Sequence, residues 1–416
     1  MALTVKKFGG SSVATAEKTM AVAQRVLREK NSDDKVVVVV SAMGDTTDDL
    51  ITLAKDLVGQ PYQYTREMDM LLSTGEQVTI ALLAMTFNKL GHPAVSLTGL
   101  QAGIKTNSAY TKGKILSVEP ERVLEELAKG NIVVVAGFQG VSKNGDVLTL
   151  GRGGSDTSAV ALAGALQADS CEIFTDVDGV YSADPRVVAD ARRMKEITYT
   201  EMLEMARLGA GVMQPRSVEM GQHYGVPIHV RSTFTEKPGT FIREEYTVEE
   251  KEFIIRGVTH DTNVAKIAIL GLPDIPGVAY KIFSALAKAN IDVDMIVQSI
   301  RNTDKNIIDM VFTVALPDLP QTKILVEELG NEMQVFGVLV DYNVAKVSVV
   351  GAGMLGHPGI AANMFGALSD AGVNIEVIST SEISISCLIQ ADKVKEAVNC
   401  IHTRFFPRDS EYKEIV

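Results

Sequence analysis

The segment Leu3-Thr4-Val5-Lys6-Lys7-Phe8-Gly9-Gly10-Ser11-Ser12 runs from an apolar strand through two adjacent glycines into a helical pattern. Glycine has no Cβ, so the backbone N–H groups of Gly9 and Gly10 can approach an anion closely. Lys7 adds a mobile positive charge, and the two serines can cap the following helix. We therefore expect a phosphate-binding turn, the alternative being a tight turn without a ligand.

The same alternation of short apolar strands and amphipathic helices continues to about Ile228. Fully apolar strands of this length are typical of parallel sheets covered by helices on both faces. The sequence predicts a three-layer αβα sandwich with a mainly parallel sheet. The clearest strands are Val36–Val40, Ile132–Ala136 and Glu172–Thr175, and the clearest helices are Ala14–Lys30, Met70–Leu90, Glu119–Lys129 and Ser158–Ala168.

The composition sets limits on the function. With 416 residues, 46% hydrophobic residues and a net charge of −12, the chain is expected to form two or three globular domains without a nucleic-acid partner. Cys171, Cys387 and Cys400 are scattered, which argues against a disulfide framework or a zinc site and favours a cytoplasmic location. The apolar run Val36–Val40 is too short to cross a membrane.

A turn-rich segment at 233–239 and an acidic run at 244–252 suggest a domain boundary, although a charged surface helix within one domain is an alternative. An internal repeat follows. Val264–Ile269 recurs 80 residues later as Val344–Val349, and Pro276-Gly277 recurs as Pro358-Gly359. A single copy is too small for a large core, so the two copies should pack together or across chains, with a ligand site between them or as a dimerisation module only.

Three further segments carry polar groups after predicted strands or at the start of a predicted helix. The loop 149–157 contains Arg152 and Asp156 between glycines, the loop 175–186 follows a buried strand, and Ser41 follows Val36–Val40. The carboxyl ends of parallel strands meet at one sheet edge, where ligands bind. Helix capping and ordinary turns are the alternatives. No P-loop, protein-kinase or dinucleotide-binding motif is present in the sequence, so these loops point to phosphoryl transfer from a nucleotide by another design.

In this order, the segments KFGGSS, SAMGDTT, LLSTGE, TLGRGGSDT and FTDVDGVYSADPR resemble the amino-acid kinase superfamily, and within it the aspartokinases. The repeat resembles two ferredoxin-like ACT regulatory domains. The resemblance implies that ATP phosphorylates the side-chain carboxylate of L-aspartate, giving 4-phospho-L-aspartate and ADP in the first step of lysine, threonine and methionine biosynthesis. It divides the chain into a catalytic domain (1–245), a linker or first ACT-region strand (246–263) and two ACT domains (264–340 and 341–416).

The resemblance also implies roles for single residues. Lys7 would stabilise the transferring phosphoryl group, Asp156 would orient Lys7, Arg152 would bind the α-carboxylate of aspartate, and Glu76 would bind its α-ammonium group. Mg²⁺ would be held mainly by the ATP phosphates, without a dedicated protein metal site. The residues implied to bind ATP are Lys7, Phe8, Gly9, Gly10, Ser155, Thr175, Asp176, Tyr181, Ser182, Ala183, Asp184, Pro185 and Arg186, and those implied to bind aspartate are Ser41, Thr47, Glu76, Arg152, Gly153, Gly154 and Ser155.

For the ACT pair, the resemblance implies lysine and threonine as allosteric effectors and a homo-oligomer formed through these domains. It leaves open a separate regulatory subunit consisting of ACT domains only. The chain ends without a dehydrogenase domain, which suggests a monofunctional kinase. The implied effector contacts are Asp274, Gly277, Val278, Ala279, Gln298, Ile360, Asn374, Ile375 and Ser381.

One departure from the family pattern concerns a segment that often reads GAKVLHP. Here Gly211 and Gln214 stand at the lysine and histidine positions. If that lysine assists phosphoryl transfer elsewhere, its role could pass to Arg216 or to Mg²⁺. Two rival functions remain: a kinase of the same fold that acts on glutamate, N-acetylglutamate or a nucleoside monophosphate, and an amino-acid sensor without catalysis.

Overall fold

The computed structural model describes residues 2–244, 254–302, 306–354 and 356–407. Most of the acidic run between the two predicted halves lies outside these ranges. The first 243 described residues form one unit around an eight-stranded sheet, and the repeat forms two smaller units.

The strands and helices of the first unit alternate along the chain. Its strands are β1 (Leu3–Phe8), β2 (Lys35–Val40), β3 (Ala94–Leu97), β4 (Ile104–Thr106), β5 (Ile115–Val118), β6 (Ile132–Ala136), β7 (Gln139–Val141), β8 (Val147–Thr149), β9 (Ser170–Thr175), β10 (Glu196–Thr198), β11 (Ile228–Ser232) and β12 (Thr240–Arg243). Its helices are α1 (Ala16–Glu29), α2 (Thr46–Val58), α3 (Thr65–Leu72), α4 (Thr74–Lys89), α5 (Glu121–Ala128), α6 (Gly154–Ala165), α7 (Tyr199–Arg207) and α8 (Pro215–Tyr224).

The large sheet has the strand order β10-β12-β11-β9-β1-β2-β6-β3. Neighbouring strands are parallel except for β11 and β12. The central strands β2 and β6 are almost entirely buried, because helices cover both faces. One core cluster includes Phe8, Val38 and Phe87 under α1 and α4, and another includes Val39, Val160 and Met202 under α6 and α7. The three-layer αβα prediction is confirmed.

The predicted helix Met70–Leu90 is two helices, α3 and α4, which meet at Ser73. Together they form a stretch, Thr65–Lys89, that is long and apolar enough to cross a membrane by length and composition, and half of it is buried. Ile80, Leu83 and Phe87 of α4 belong to the core beneath the sheet. The apolar character of α4 is therefore explained by packing within the fold.

A second, four-stranded sheet of order β5-β4-β7-β8 is not predicted by the sequence analysis. Its strands are three or four residues long, too short for a clear alternation of polar and apolar residues. The sheet matters for the site because β8 leads directly into the glycine-rich loop.

The repeat forms two antiparallel sheets of order β15-β16-β14-β17 and β13-β18-β20-β19, each covered by two helices. The elements of this part are β13 (Gly257–Asp261), β14 (Val264–Pro273), α9 (Val278–Lys288), β15 (Ile296–Asn302), β16 (Ile307–Ala315), α10 (Leu319–Glu332), β17 (Gly337–Asp341), β18 (Val344–Val350), α11 (Ile360–Asp370), β19 (Val377–Thr380), β20 (Ser384–Gln390) and α12 (Val394–Phe405).

The edge strand β13 belongs to the sheet of the second copy, although it precedes the first copy in the chain. In the same way, β17 precedes the second copy and completes the sheet of the first. The repeat is therefore longer than the sequence analysis recognised, because Gly257-Val258 recurs as Gly337-Val338. A division at 341 leaves out β13, which pairs with β18 of the second copy.

Two ion pairs join the copies reciprocally. Lys266 in β14 pairs with Glu376 of the second copy, and Lys346 in β18 pairs with Asp294 of the first. Lys266 and Lys346 are equivalent positions of the repeat. Val264, Val344 and Leu388 form a small apolar cluster beside these pairs. The copies thus pack about an approximate two-fold axis.

Candidate active site

Lys7 and Asp156 meet at the carboxyl end of the central strand β1. Lys7 Nζ lies 2.5 Å from Asp156 Oδ1. Asp156 lies in the first turn of α6, where the helix dipole favours negative charge. The pair therefore fixes a lysine ammonium group beside the N-terminal end of a helix, which is a suitable environment for a phosphate.

The glycine turn after β1 packs tightly against the loop after β2. Gly44 N donates to Gly10 O at 3.1 Å, and a Cβ at Gly10 would lie 2.8 Å from Ala42 O. A side chain at Gly10 would therefore force the two loops apart. The predicted capping by Ser11 and Ser12 is wrong: α1 begins later, at Ala16, and Thr15 accepts its capping hydrogen bond from Lys18 N.

Ser41 and Ser155 link the second and third loops. Ser41 Oγ donates to Ser155 Oγ at 2.9 Å, so the end of β2 and the first turn of α6 face one another. Thr47 lies in the first turn of α2 on the same side of the sheet. The structure thus brings the loops after β1 and β2 and the start of α6 to one edge, as the parallel order requires.

The carboxylate of Glu76 is buried, and only one of its two oxygen atoms has a hydrogen-bond partner among the described residues. The side chain is 2% exposed, and Oε1 accepts from Ala42 N at 3.0 Å. Oε2 has no hydrogen-bond partner among the described residues. Burial raises the pKa of the carboxyl to about 7, despite the hydrogen bond from Ala42. Such a group is suited to bind a cationic ligand, which would supply the missing partner.

The glycine-rich loop before α6 needs glycine at Gly153. Its φ is +66°, and a Cβ there would lie 1.8 Å from Gln214 Cγ. Arg152 is exposed on this loop. The loop places Gly154 and Ser155 at the start of α6, next to Ser41. Gln214, which departs from the family pattern, therefore packs against the glycine that shapes the loop.

Arg216 anchors the same loop from α8. Its guanidinium donates to Leu150 O at 2.6 Å and to Gly113 O at 2.9 Å. Since Nη1 and Nη2 of Arg216 donate to backbone carbonyls, the expectation that this residue takes over the role of an absent catalytic lysine stays a prediction. Its observed contacts position the loop.

Asp69 supports the loop from the other side, and the sequence analysis did not find it. Thr149 Oγ1 donates to Asp69 Oδ1 at 2.5 Å, and Thr111 N donates to Oδ2 at 2.8 Å. The carboxyl is fully buried, and burial raises its pKa. The available signal was an aspartate among apolar residues in the helix Thr65–Leu72.

The loop after β9 lines a cavity of about 440 Å³. Asp176, Tyr181, Asp184 and Arg186 are among its lining residues. Tyr181 Oη donates to Asp178 Oδ1 at 2.6 Å, and burial together with that bond raises the pKa of Tyr181 to about 12. Asp184 and Arg186 form a two-point pair, with Nε to Oδ1 at 3.0 Å and Nη2 to Oδ2 at 2.8 Å. The lining of the cavity therefore includes polar and charged side chains.

Ser182 differs from its neighbours in this loop. It is fully buried, its hydroxyl bonds to His402 Nε2 at 2.9 Å, and it accepts from Arg192 N at 2.9 Å. Burial lowers the pKa of His402 to about 4, so the ring is neutral at neutral pH. The Ser182 side chain is thus bonded to α12 and does not line the cavity, so the prediction that Ser182 is among the ATP-binding residues stays a prediction.

The implied effector residues lie in both copies of the repeat, and Val278 and Ile360 are equivalent positions. Gly277, with φ +98°, precedes α9 and Gly359, with φ +101°, precedes α11. Val278, Ala279 and Ile360 lie in the first turns of these helices, while Asp274, Asn374 and Ile375 lie in loops, Gln298 in β15 and Ser381 after β19. The edge strands β15 and β19 contact each other, so the two sets flank the boundary between the copies. Among the described residues, no three histidine, cysteine or acidic side chains form a metal cluster.

The first unit is an αβα sandwich whose mainly parallel sheet has glycine turns at its strand ends, and it is joined to two small antiparallel modules. This combination defines an amino-acid kinase with ACT domains. The Amino acid kinase family model matches residues 2–232, and an ACT domain model matches 267–319 and 347–405. These matches cover most of the described chain.

Comparison with known proteins narrows the class. The aspartokinase of Mycolicibacterium smegmatis is 49% identical over 97% of this chain and 96% of its own length. The aspartate kinase Ask_LysC of Stutzerimonas stutzeri is 49% identical over 97% of both. The crystal structure of E. coli aspartokinase III with aspartate and ADP matches 97% of this chain and 100% of that one, with 25% identity and a TM-score of 0.82. The chain belongs to the aspartokinase family and is an ATP-dependent aspartate kinase.

Proposed function

We propose that this chain transfers the γ-phosphoryl group of ATP to the side-chain carboxylate of L-aspartate, giving 4-phospho-L-aspartate and ADP. This would be the first step of lysine, threonine and methionine biosynthesis. The proposal is based on three features that lie at one edge of the sheet. They are the Lys7–Asp156 ion pair, the Ser41–Ser155 hydrogen bond and the unpartnered carboxylate oxygen of Glu76. The E. coli relative solved with aspartate and ADP supports the same substrates.

The main chemical problem is the approach of two anions. Two unit charges about 4 Å apart repel by roughly 4 kcal/mol at an effective dielectric constant near 20. Lys7, oriented by Asp156, and the N–H groups at the start of α6 are placed to offset this repulsion. No general base is needed, because the attacking carboxylate is already ionised. Catalysis then consists of alignment and charge neutralisation.

Mg²⁺ completes this scheme. The hydroxyls of Ser41 and Ser155 and the carboxylate of Asp176 are hard oxygen donors of the kind that Mg²⁺ prefers, near the proposed phosphate positions. When bound with ATP, the ion would neutralise charge on the phosphate oxygens. We propose that the phosphates supply most of its ligands.

Glu76 and Arg152 select the acceptor. The Glu76 carboxylate would bind the α-ammonium group and Arg152 the α-carboxylate, which leaves the side-chain carboxylate to face Lys7. N-acetylglutamate carries no ammonium group, so it would leave the buried Oε2 of Glu76 without a partner. The buried carboxylate of Glu76 therefore favours a free amino acid over an N-acetylated one as the acceptor.

Regulation would act through the two copies of the repeat. We propose that lysine, threonine or both bind at the boundary between β15 and β19 and shift the chain towards an inhibited state, with residues 1–245 as the catalytic unit. A crystal structure of E. coli aspartokinase III with lysine and aspartate, 25% identical with a TM-score of 0.75, supports lysine as an effector. Homo-oligomerisation through these modules is part of the same proposal.

Trapping the product tests the proposal. An acyl phosphate reacts with hydroxylamine to give a hydroxamate, and chromatography with tandem mass spectrometry against synthetic standards distinguishes the β- from the α-hydroxamate of aspartate. We expect ATP-dependent formation of the β-hydroxamate, and its slowing by lysine or threonine. Formation of glutamyl hydroxamate at a higher rate than aspartyl hydroxamate would contradict the assigned acceptor.

A further inference from the structure

The cavity beside the loop after β9 has a wall that belongs to the regulatory part of the chain. Val258, Thr259 and His260, all in β13, line it together with Tyr181 and Asp184. Because β13 is the edge strand of the second ACT sheet, its outer edge faces the kinase unit. The cavity is therefore closed by two units of the chain.

The contact between β13 and the kinase loops is close on two sides. Val258 N donates to Ser182 O at 2.7 Å. Gly209, with φ +104°, lies so near the strand that a Cβ there would be 2.1 Å from His260 O. A side chain at Gly209 would push β13 away from the cavity. The strand is thus fixed against the loops that line the cavity.

The hydroxyl group of Thr259 makes no hydrogen bond within the described part of the chain. The residue is 4% exposed, and Oγ1 has no hydrogen-bond partner among the described residues. A buried hydroxyl without a hydrogen-bond partner is unfavourable, so such a group indicates a ligand or a water at that point. Its position in the cavity wall favours a ligand bound there.

The internal repeat provides a comparison within this chain. The strand Gly257-Val258-Thr259-His260-Asp261 corresponds to Gly337-Val338-Leu339-Val340-Asp341, which completes the other sheet. Leu339 is 59% exposed and is not among the residues that line the nucleotide cavity. The strand therefore does not need polar residues at these two positions for its pairing. Threonine and histidine occur in the copy that lines the cavity.

His260, the next residue of β13, also lines the cavity. The hydrogen bond from Arg186 holds the pKa of Asp184 below its usual value, and His260 is near enough to contribute. Because successive side chains of a strand point to opposite faces, His260 lies near Asp184 and Arg186, while the Thr259 side chain is on the other face of β13, with Ser348. Lys7, which would hold the phosphates, is not among the residues that line this cavity, so we assign the β13 wall to the nucleoside end.

We propose that Thr259 and His260 are part of the nucleotide site, with the Thr259 hydroxyl bonding to the nucleoside moiety of ATP or ADP. The inference rests on the proposed function, because it takes this cavity as the nucleotide site. The second ACT sheet then contacts the nucleotide directly, and displacement of β13 weakens nucleotide binding. By reciprocity, bound nucleotide stabilises the docked position of β13.

Calorimetry with the full chain and ADP tests the proposal. Thr259→Val keeps the shape and removes the hydroxyl, and we expect ADP affinity to fall about 3- to 10-fold, as for loss of one neutral hydrogen bond. KM for ATP should rise by the same factor, and KM for aspartate should stay the same. Thr259→Ser keeps the hydroxyl and should retain most of the affinity.

Ser348→Ala is the matched control. Ser348 lies opposite Thr259 in β18, and its buried hydroxyl bonds to Ser386 Oγ at 2.7 Å, within the same sheet. This variant should lower Tm and leave ADP affinity unchanged. Equal ADP affinity in wild type and folded Thr259→Val would overturn the inference, whereas a wild type that binds no ADP would contradict the proposed function itself.

A measurement on the wild type covers the case in which Thr259→Val does not fold. Photolysis with 2-azido- and 8-azido-ADP should label the peptide that contains Thr259 and His260, and excess ADP should prevent the labelling. Labelling confined to other peptides by both probes would contradict the proposed contact.

Discussion

Lys7 Nζ lies 2.5 Å from Asp156 Oδ1, and this contact joins the end of β1 to the first turn of α6. Both side chains are largely buried, so the pair is weakly screened by solvent. The ion pair fixes the direction of the lysine before any ligand binds. In the proposed reaction, this lysine would stabilise the transferring phosphoryl group.

Replacement of Lys7 should stop turnover and leave the fold intact. We expect Lys7→Ala to lower kcat by at least about 100-fold, since one preorganised charged donor at a developing anion contributes that much or more. Steady-state kinetics with saturating ATP and aspartate measures the effect. Lys143→Ala, at an exposed lysine in the β7–β8 turn, is the control and should be active. A folded Lys7→Ala protein with near-normal kcat would contradict the role.

The pKa of Glu76, raised by burial to about 7, predicts a pH dependence of aspartate binding. Only the ionised carboxylate attracts the α-ammonium group, so kcat/KM for aspartate should fall about tenfold per pH unit well below pH 7. Glu76→Gln should weaken aspartate binding and remove this inflection. Glu67→Gln, at an exposed glutamate of α3, should keep the profile of the wild type.

The same shift predicts an effect on stability without substrate. A folded-state pKa of about 7 lies above the unfolded value, so the folded protein binds the proton more tightly and loses stability as pH rises from 4.5 to 7. At pH 8, Glu76→Gln should therefore be more stable than wild type, by up to about 3 kcal/mol. Urea unfolding at pH 8 measures this, and a less stable variant would contradict the burial of an ionised carboxylate.

The pKa of Glu29 is shifted in the opposite direction to that of Glu76. Burial alone would raise the pKa of its carboxyl, but ion pairs with Lys6, Arg231 and Arg25 hold it down to about 2. The stability from these pairs is present above pH 4.5 and is lost as pH falls towards 2. Glu29→Gln should lower Tm strongly at pH 7, where it leaves buried cations unpaired, and clearly less at pH 3, where part of the stabilisation is already lost. An equal loss at both pH values would show that charge is not the cause.

Arg216 should act on the glycine-rich loop. Since its guanidinium holds the carbonyls of Leu150 and Gly113, Arg216→Ala should displace Arg152 and raise KM for aspartate about 10- to 100-fold. ADP affinity should change little, because the nucleotide cavity lies elsewhere. Arg216→Lys should recover part of the loss, and a change confined to kcat would indicate a direct role in phosphoryl transfer.

The sequence was sufficient for elements with a strong local pattern. Lys35–Val40 and Ile132–Ala136 are continuous β-branched runs, so their burial in a parallel sheet follows from composition alone. The strands of the second sheet have three or four residues and no such pattern. The placement of β13 depends on pairing with β18, about 90 residues away, which the local sequence does not encode.

The same distinction applies to the site. Glycine turns at Gly10 and Gly153 are visible in the sequence because the residue type itself carries the constraint. The direction of a side chain is not visible: Ser182 is turned away from the cavity by His402, 220 residues later in the chain. Asp69 is a buried partner of Thr149 and has no motif. Long-range contacts decided these cases.

The most direct test of the account is ADP release from Mg-ATP with L-aspartate, compared with L-glutamate and N-acetylglutamate at equal concentrations. We expect ADP release that depends on aspartate, is much slower with glutamate, and is absent with N-acetylglutamate. Folded protein that releases ADP with N-acetylglutamate or glutamate as fast as with aspartate would contradict the account.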